Sequence, residues 1–138
     1  MRDLNLKRMP PLPDHWVPLE NPWVTPEGRW ESKVQFGPAS EWFLGHFENY
    51  PVLPGVALLA LVSETLRRQA LNGGRVLEVV GFSRVRFRHL VLPGEELRIS
   101  VAAMPGGTEA KLDFRVTSQA TLVVQGFLKA REETRTEA

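Results

Sequence analysis

The sequence predicts an α+β domain in which one long buried helix packs against an antiparallel sheet of five or six strands. The helix is predicted by an apolar run that follows Pro54-Gly55 and continues as a helical pattern from Val56 to Leu71. The sheet is predicted because the remaining patterned segments read as strands, are separated by turns, and include no second helix. A chain of 138 residues has the size of one domain with one core.

Each predicted element has its own signals. The helix is apolar on all sides over Val56–Val62 and turns polar from Glu64 onward, and the glycines after Asn72 end it. Strands are expected where β-type patterns lie between turns: 28–36, 76–87, 97–104, 110–117 and 120–130.

The N-terminal residues 1–27 are predicted to form a proline-rich arm that packs on the domain. Six of the eleven prolines lie in this stretch, and each removes a backbone donor and disfavours helix before it. Four apolar residues are expected to hold the arm in place: Trp16, Val17, Trp23 and Val24. Residues 28–132 would then form the domain and residues 133–138 a frayed charged tail.

The composition excludes several classes of function. The 17 basic and 16 acidic side chains nearly cancel, so a nucleic-acid partner is not expected. The chain has no cysteine, which excludes disulfides and thiolate chemistry and agrees with a cytoplasmic location. No signal peptide is expected, and the longest apolar run falls far short of the ~20 residues of a membrane span. No metal-ligand cluster or nucleotide fingerprint appears, so neither a metal nor a cofactor is predicted.

Three arginines alternate along one predicted strand, at Arg84, Arg86 and Arg88. Two interpretations are open for them. They form a local basic cluster for an acidic carrier protein, or they are an outward strand face kept soluble by charge.

Two segments carry the chemical information. The first runs from Glu41-Trp42-Phe43-Leu44-Gly45-His46-Phe47 through Pro51-Val52-Leu53-Pro54-Gly55-Val56, directly before the buried helix. The second is Val85-Arg86-Phe87-Arg88 with Pro93-Gly94-Glu95-Glu96-Leu97. Both segments resemble the β-hydroxyacyl-acyl-carrier-protein dehydratases of the FabZ/FabA type, and the likeness extends from about Arg29 to Ala130. The resemblance implies the hotdog fold, in which the sheet wraps around the central helix.

The resemblance also implies roles for individual residues. His46 would take a proton from C2 of a 3-hydroxyacyl thioester, as a neutral imidazole can do near neutral pH. The backbone N–H groups of Gly55 and Val56, at the helix N-terminus, would polarise the thioester carbonyl. Phe47 and Ala60 would line the tunnel for the acyl chain.

One position departs from the family pattern. Dehydratases of this type carry a carboxylate fourteen residues after the histidine, where it helps to protonate the leaving hydroxyl in the partner subunit's site. This chain has Ala60 there, and alanine cannot transfer a proton. Glu64, four residues further along the helix, is the substitute acid that we consider. In the other interpretation, Glu64 marks the point where the helix emerges into solvent and pairs with Arg67 or Arg68.

The leading hypothesis is therefore a (3R)-3-hydroxyacyl thioester dehydratase of fatty-acid or related acyl-chain biosynthesis. Its substrate would be carried by acyl carrier protein or coenzyme A, and no cofactor beyond the substrate's pantetheine arm is expected. Two alternatives stay open: a non-catalytic acyl-carrier binding protein and a hotdog thioesterase that uses Glu64. The resemblance and the expected free sheet edge predict a homodimer or a higher oligomer, with no membrane association.

Overall fold

The computed structural model of the chain describes residues 17–37, 53–104 and 110–133. These residues form one helix and a six-stranded antiparallel sheet, which confirms the predicted α+β layout. The elements are β1 (Trp23–Val24), β2 (Trp30–Gln35), α1 (Gly55–Asn72), β3 (Leu77–Phe87), β4 (Glu96–Met104), β5 (Ala110–Ser118) and β6 (Thr121–Glu132).

The strands lie in the order β1-β2-β4-β5-β6-β3, and each neighbouring pair is antiparallel. β2 and β3 flank the helix in the chain but lie far apart in the sheet, with β4, β5 and β6 between them. The predicted strand ends agree with the observed ends to within two residues. β1 was not predicted as a strand, because it lies in the segment that was expected to form an extended arm.

The helix packs on one face of the sheet, where it contacts β2, β3, β4 and β5. Its residues from Ala57 to Val62 are almost all fully enclosed, as the apolar run predicts. Val56, the first residue of the predicted apolar run, differs from the others because 47% of its surface is exposed at the start of the helix. Over the described residues, no helix is long and apolar enough to span a membrane.

The segment before β2 lies along the outer edge of the sheet. Val17 is completely buried, and the Glu20 N–H donates a 2.9 Å hydrogen bond to the Lys33 carbonyl in β2. The Ser32 hydroxyl donates to the Glu20 carbonyl at 2.7 Å. Val24 is half-exposed, so it does not anchor the segment as expected, and Trp16 lies outside the described residues.

The turn between β5 and β6 gives a stability prediction. Gln119 and Ala120 have φ values of 47° and 69°, and such a two-residue hairpin turn favours Asn-Gly. Because a side chain in the left-handed region costs about 1–2 kcal/mol, Ala120→Gly should raise the free energy of unfolding by about 0.5–1 kcal/mol. Urea unfolding measures this change. Ala102→Gly, within β4, is the matched control and should instead lower stability, and equal effects of the two changes would contradict the prediction.

Candidate active site

The N-terminus of α1 presents backbone donors that have no acceptor among the described residues. The helix begins at Gly55 after Pro54, whose φ of −67° and ψ of 150° are extended, and no side chain of a described residue caps it. The Ala57 N–H donates to the Pro54 carbonyl at 3.0 Å. Within the described ranges, the N–H groups of Gly55 and Val56 donate to no acceptor. These donors, at the positive end of the helix dipole, can bind an oxygen that carries negative charge.

Gly55 lies directly against the ring of Phe87. A Cβ placed on Gly55 would be only 2.8 Å from the Cζ atom of Phe87, closer than real Cβ atoms come to a neighbour. A larger residue at position 55 would therefore have to displace the Phe87 ring from the start of the helix. The phenyl ring is 40% exposed, so it covers the helix start from the solvent side.

A backbone hydrogen bond joins the same two segments. The Leu53 N–H donates to the Val91 carbonyl at 2.8 Å, just after β3, and both side chains are buried. The two segments that carried the family resemblance, around Pro54-Gly55 and around Phe87, are thus neighbours in the folded chain. Sequence reasoning named Gly55 but missed Phe87 as its cover, because nothing local in the sequence signals a contact across 32 positions.

Exposed apolar side chains surround the place where the start of α1 meets the end of β3. Val56 begins the helix beside Gly55, and Phe87 covers it. Leu90 and Leu92 flank Val91, with 57% and 44% of their surfaces exposed. Apolar surface of this kind around a site is typical of a place where a ligand or a second subunit packs.

The predicted base lies outside the described part of the chain. His46 and Phe47 fall within residues 38–52, so their roles remain predictions. His15 also lies outside the described residues. His89 is described: it is half-exposed, with Nε2 3.8 Å from the Glu95 Oε1 atom, and it lies at the end of the strand as a surface residue.

Ala60 is fully buried in α1, about 7.5 Å along the helix axis from Gly55. It offers no group that can hold a proton. Three residues later, the Ser63 hydroxyl is buried without a hydrogen-bond partner among the described residues. Buried hydroxyls are usually bonded, so a water or a ligand atom next to Ser63 would complete its bonding.

Glu64 is buried and ion-paired. Its Oε1 accepts from Arg67 Nε at 2.9 Å, and its Oε2 accepts from Arg67 at 2.8 Å and from Arg68 Nε at 3.1 Å. The pairing with both arginines agrees with the second interpretation of Glu64, but the expected emergence into solvent is wrong, since only 5% of the residue is exposed. Glu64 lies about 14 Å along the helix axis from Gly55.

Arg68 links this ion pair to the segment before β2. Its guanidinium donates to the Val17 carbonyl at 3.1 Å and to the Leu19 carbonyl at 3.4 Å. A short carboxylate–guanidinium–carbonyl chain therefore fixes the N-terminal segment on the helix. Each oxygen of Glu64 therefore has an arginine partner, which offsets the cost of burying the carboxylate.

A six-stranded antiparallel sheet that packs around one central helix defines a hotdog-fold protein. The model of the ApeI-like family, described as ApeI dehydratase, matches residues 23–127, and the chain belongs to this family of dehydratases.

Curated relatives agree with this assignment. The chain is 38% identical over 64 residues to the 3-hydroxyacyl-[acyl-carrier-protein] dehydratase FabZ of Pelotomaculum thermopropionicum, covering 44% of this chain and 46% of that protein. It is 31% identical over 81 residues to FabZ of Haemophilus influenzae, covering 54% and 55%. These matches span about half the length of the curated relatives.

Among solved structures, the dehydratase heterocomplex ApeI:P from Xenorhabdus doucetiae matches with a TM-score of 0.66 and 23% identity, over 89% of this chain and 99% of that chain. The E. coli PaaI protein from the phenylacetic acid degradation operon matches with a TM-score of 0.67 and 13% identity, over 86% of each chain. At these identities, the two structures establish the fold alone.

Proposed function

We propose that the chain catalyses the dehydration of (3R)-3-hydroxyacyl thioesters to conjugated enoyl thioesters, in fatty-acid or related acyl-chain biosynthesis. The observation that carries this proposal is the helix start, where the N–H groups of Gly55 and Val56 have no acceptor among the described residues and Gly55 lies against the Phe87 ring. Negative charge develops on the thioester oxygen when the C2 proton leaves. Donors that already point at that oxygen stabilise the charge without reorganisation.

The proposed reaction has two proton transfers. His46 takes the C2 proton, and the electron pair forms the double bond between C2 and C3 as the 3-hydroxyl departs. That hydroxyl needs a proton to leave as water. Since Ala60 cannot supply it and both Glu64 oxygens accept bonds from arginines, we propose that the proton on His46 is returned to the leaving hydroxyl.

The acyl chain would lie beside the apolar face of α1, with Phe47 and Ala60 in the wall of its tunnel. The thioesterase alternative requires Glu64 to activate water. The ion pairs of Glu64 with Arg67 and Arg68 favour a structural role for this residue over the activation of water.

Because Ala60 stands where the family pattern has a carboxylate, a second candidate for the active protein is a complex of this chain with a different hotdog chain. In the family pattern, this carboxylate reaches the partner subunit's site, so a homodimer of this chain would lack it in both sites. The related ApeI:P structure is named as a dehydratase heterocomplex. A second hotdog chain that carries the carboxylate would complete the His46 site of this chain.

Either dimer would use the free edge of β3, which pairs only with β6 among the described strands. The exposed side chains of Val56, Phe87, Leu90 and Leu92 would extend the contact around the helix start. We therefore propose a dimer, with the homodimer as the default state of the purified chain.

The experiment is a direct assay. The purified chain is mixed with 3-hydroxyacyl substrates of several chain lengths, on coenzyme A and on carrier protein, and the conjugated enoyl thioester is followed by its ultraviolet absorbance. Enoyl product from the chain alone supports a self-sufficient dehydratase. Product only with a co-purified carboxylate-bearing hotdog subunit supports the heteromeric site. Acyl ligand binding without product in either arm contradicts the dehydratase and favours a binding protein.

A further inference from the structure

The loop between β3 and β4, residues 88–95, holds the segment that leads into the helix. The Val91 carbonyl in the middle of this loop accepts the Leu53 N–H at 2.8 Å. Directly before the loop, the ring of Phe87 lies against Gly55. One short stretch of chain therefore contacts the start of α1 at two points, and the position of the helix N–H groups depends on where that stretch lies.

The β3–β4 loop is only partly fixed by burial. Val91 is 2% exposed, but Leu90 and Leu92 on either side of it have 57% and 44% of their surfaces exposed. Apolar packing among the described residues thus holds Val91 and contributes much less at its two neighbours. A loop with exposed side chains keeps one conformation only if its backbone is held by hydrogen bonds.

Glu95 supplies such hydrogen bonds at the end of the loop. Its Oε2 atom accepts from the Leu92 N–H at 2.5 Å, and the Glu95 N–H donates back to the Leu92 carbonyl at 3.3 Å. Its Oε1 atom accepts from the Ser118 hydroxyl at 2.8 Å, at the end of β5. One carboxylate therefore closes the loop and ties it to the sheet, through bonds about twice as strong as those between neutral groups.

The two oxygens of Glu95 bind neutral donors, one backbone N–H and one hydroxyl. The Nε2 atom of His89 is 3.8 Å from the Oε1 atom, which is too far for a hydrogen bond. The carboxylate therefore does not serve mainly to balance a cation. Its contacts instead fix the backbone of Leu92, and with it the adjoining Val91 carbonyl.

The contacts from Glu95 to the helix start form a short, continuous series. Leu92 adjoins Val91, Val91 bonds to Leu53, and Leu53 lies two residues before Gly55. No side chain of a described residue caps this helix, so contacts of the preceding segment position its first N–H groups. Their position matters for chemistry, because a displacement of about 1 Å at a reacting centre can lower a rate about 100-fold.

We propose that Glu95 is a positioning residue, which keeps the N–H groups of Gly55 and Val56 aimed at the thioester oxygen by fixing the β3–β4 loop. This inference rests on the proposed function for the identity of that oxygen. Glu95 acts through Leu92 and Val91 and does not itself touch the substrate. Its removal should therefore change the rate of the chemical step and not the binding of the acyl chain.

Glu95→Ala should lower kcat for enoyl formation about 10- to 100-fold and leave KM unchanged, because misaligned donors stabilise the transition state less. The amide resonances of Gly55 and Val56 should shift in an NMR spectrum of the same variant. Asp113→Ala is the matched control, since Asp113 is also a carboxylate that accepts two hydrogen bonds, both from Arg29, outside this series of contacts. It should leave kcat and both amide resonances unchanged.

Two milder variants keep the test decisive if Glu95→Ala folds poorly. Glu95→Gln keeps the length of the side chain and one acceptor oxygen, so its kcat should lie between those of Glu95→Ala and the unmodified chain. Ser118→Ala removes the donor to the Oε1 atom and should lower kcat less than Glu95→Ala does. Because Glu95→Ala already removes the bond to Ser118, the double variant should be no slower than Glu95→Ala alone.

The amide resonances separate this inference from the proposed function. If the unmodified chain turns over the thioester while Glu95→Ala keeps its kcat, or leaves the two amides in place, Glu95 is not a positioning residue. A raised KM with unchanged kcat, or equal losses of kcat in Glu95→Ala and Asp113→Ala, would also overturn the proposal. Shifted Gly55 and Val56 amides in Glu95→Ala, without turnover by any form of the chain, would retain the positioning role of Glu95 and reject the dehydratase.

Discussion

His46→Ala should lower kcat/KM for 3-hydroxyacyl thioester dehydration by about 100- to 10,000-fold, the usual contribution of a general acid–base group. The loss should be near the upper end of that range if one imidazole performs both proton transfers. Steady-state measurement of enoyl formation gives the number. The free energy of unfolding should be measured in parallel, so that a folding defect is not mistaken for lost chemistry.

His89→Ala is the matched control for this experiment. His89 is half-exposed two residues after β3, with its Nε2 atom 3.8 Å from the Glu95 Oε1 atom, so its removal should leave kcat/KM unchanged. Equal losses in the two variants, or full activity of His46→Ala, would show that His46 is not the base.

Glu64→Gln should lower the free energy of unfolding by about 2–3 kcal/mol and leave the kcat of the folded protein unchanged. The isosteric amide removes the negative charge that faces Arg67 and Arg68. The cost should lie below that of a fully buried ion pair, because the two arginine side chains keep 34% and 19% of their surfaces exposed. Urea unfolding and steady-state kinetics measure the two quantities separately.

The two measurements separate the interpretations of Glu64. If Glu64 is the substitute acid, kcat should fall about 100-fold or more while stability changes little. Arg75→Gln is the comparison for stability, because Arg75 pairs with Glu132 on the surface and exposed pairs contribute about 1 kcal/mol or less. A stability loss in Glu64→Gln no larger than that in Arg75→Gln would contradict the structural role.

Much of the fold was predictable because its signals are local. The apolar run after Gly55 indicated a buried helix, and the turns between strand patterns set the strand ends to within a residue or two. The choice of the hotdog fold depended on the motif before the helix. Periodicity alone does not specify the order of strands in a sheet, since that order depends on contacts between distant segments.

The site was predictable only in part. Gly55 was identified because its motif is contiguous with the helix start. The contact with Phe87 and the burial of Glu64 both depend on packing between distant segments. A polar helix end usually indicates solvent exposure. Here the N-terminal segment covers that end, and Arg68 bonds to its carbonyls.

The hydrogen bonds between the N-terminal segment and β2 also limit how copies of this chain can aggregate. If β2 were an uncovered edge strand, its unpaired backbone groups could bond to a strand of another copy. With two open edges, sheets could associate edge to edge without limit. Glu20 and β1 occupy that side. Among the described strands, β3 is the long open edge and β1 at the other end has only two residues, so the proposed pairing through β3 would end after two copies instead of propagating into a fibre.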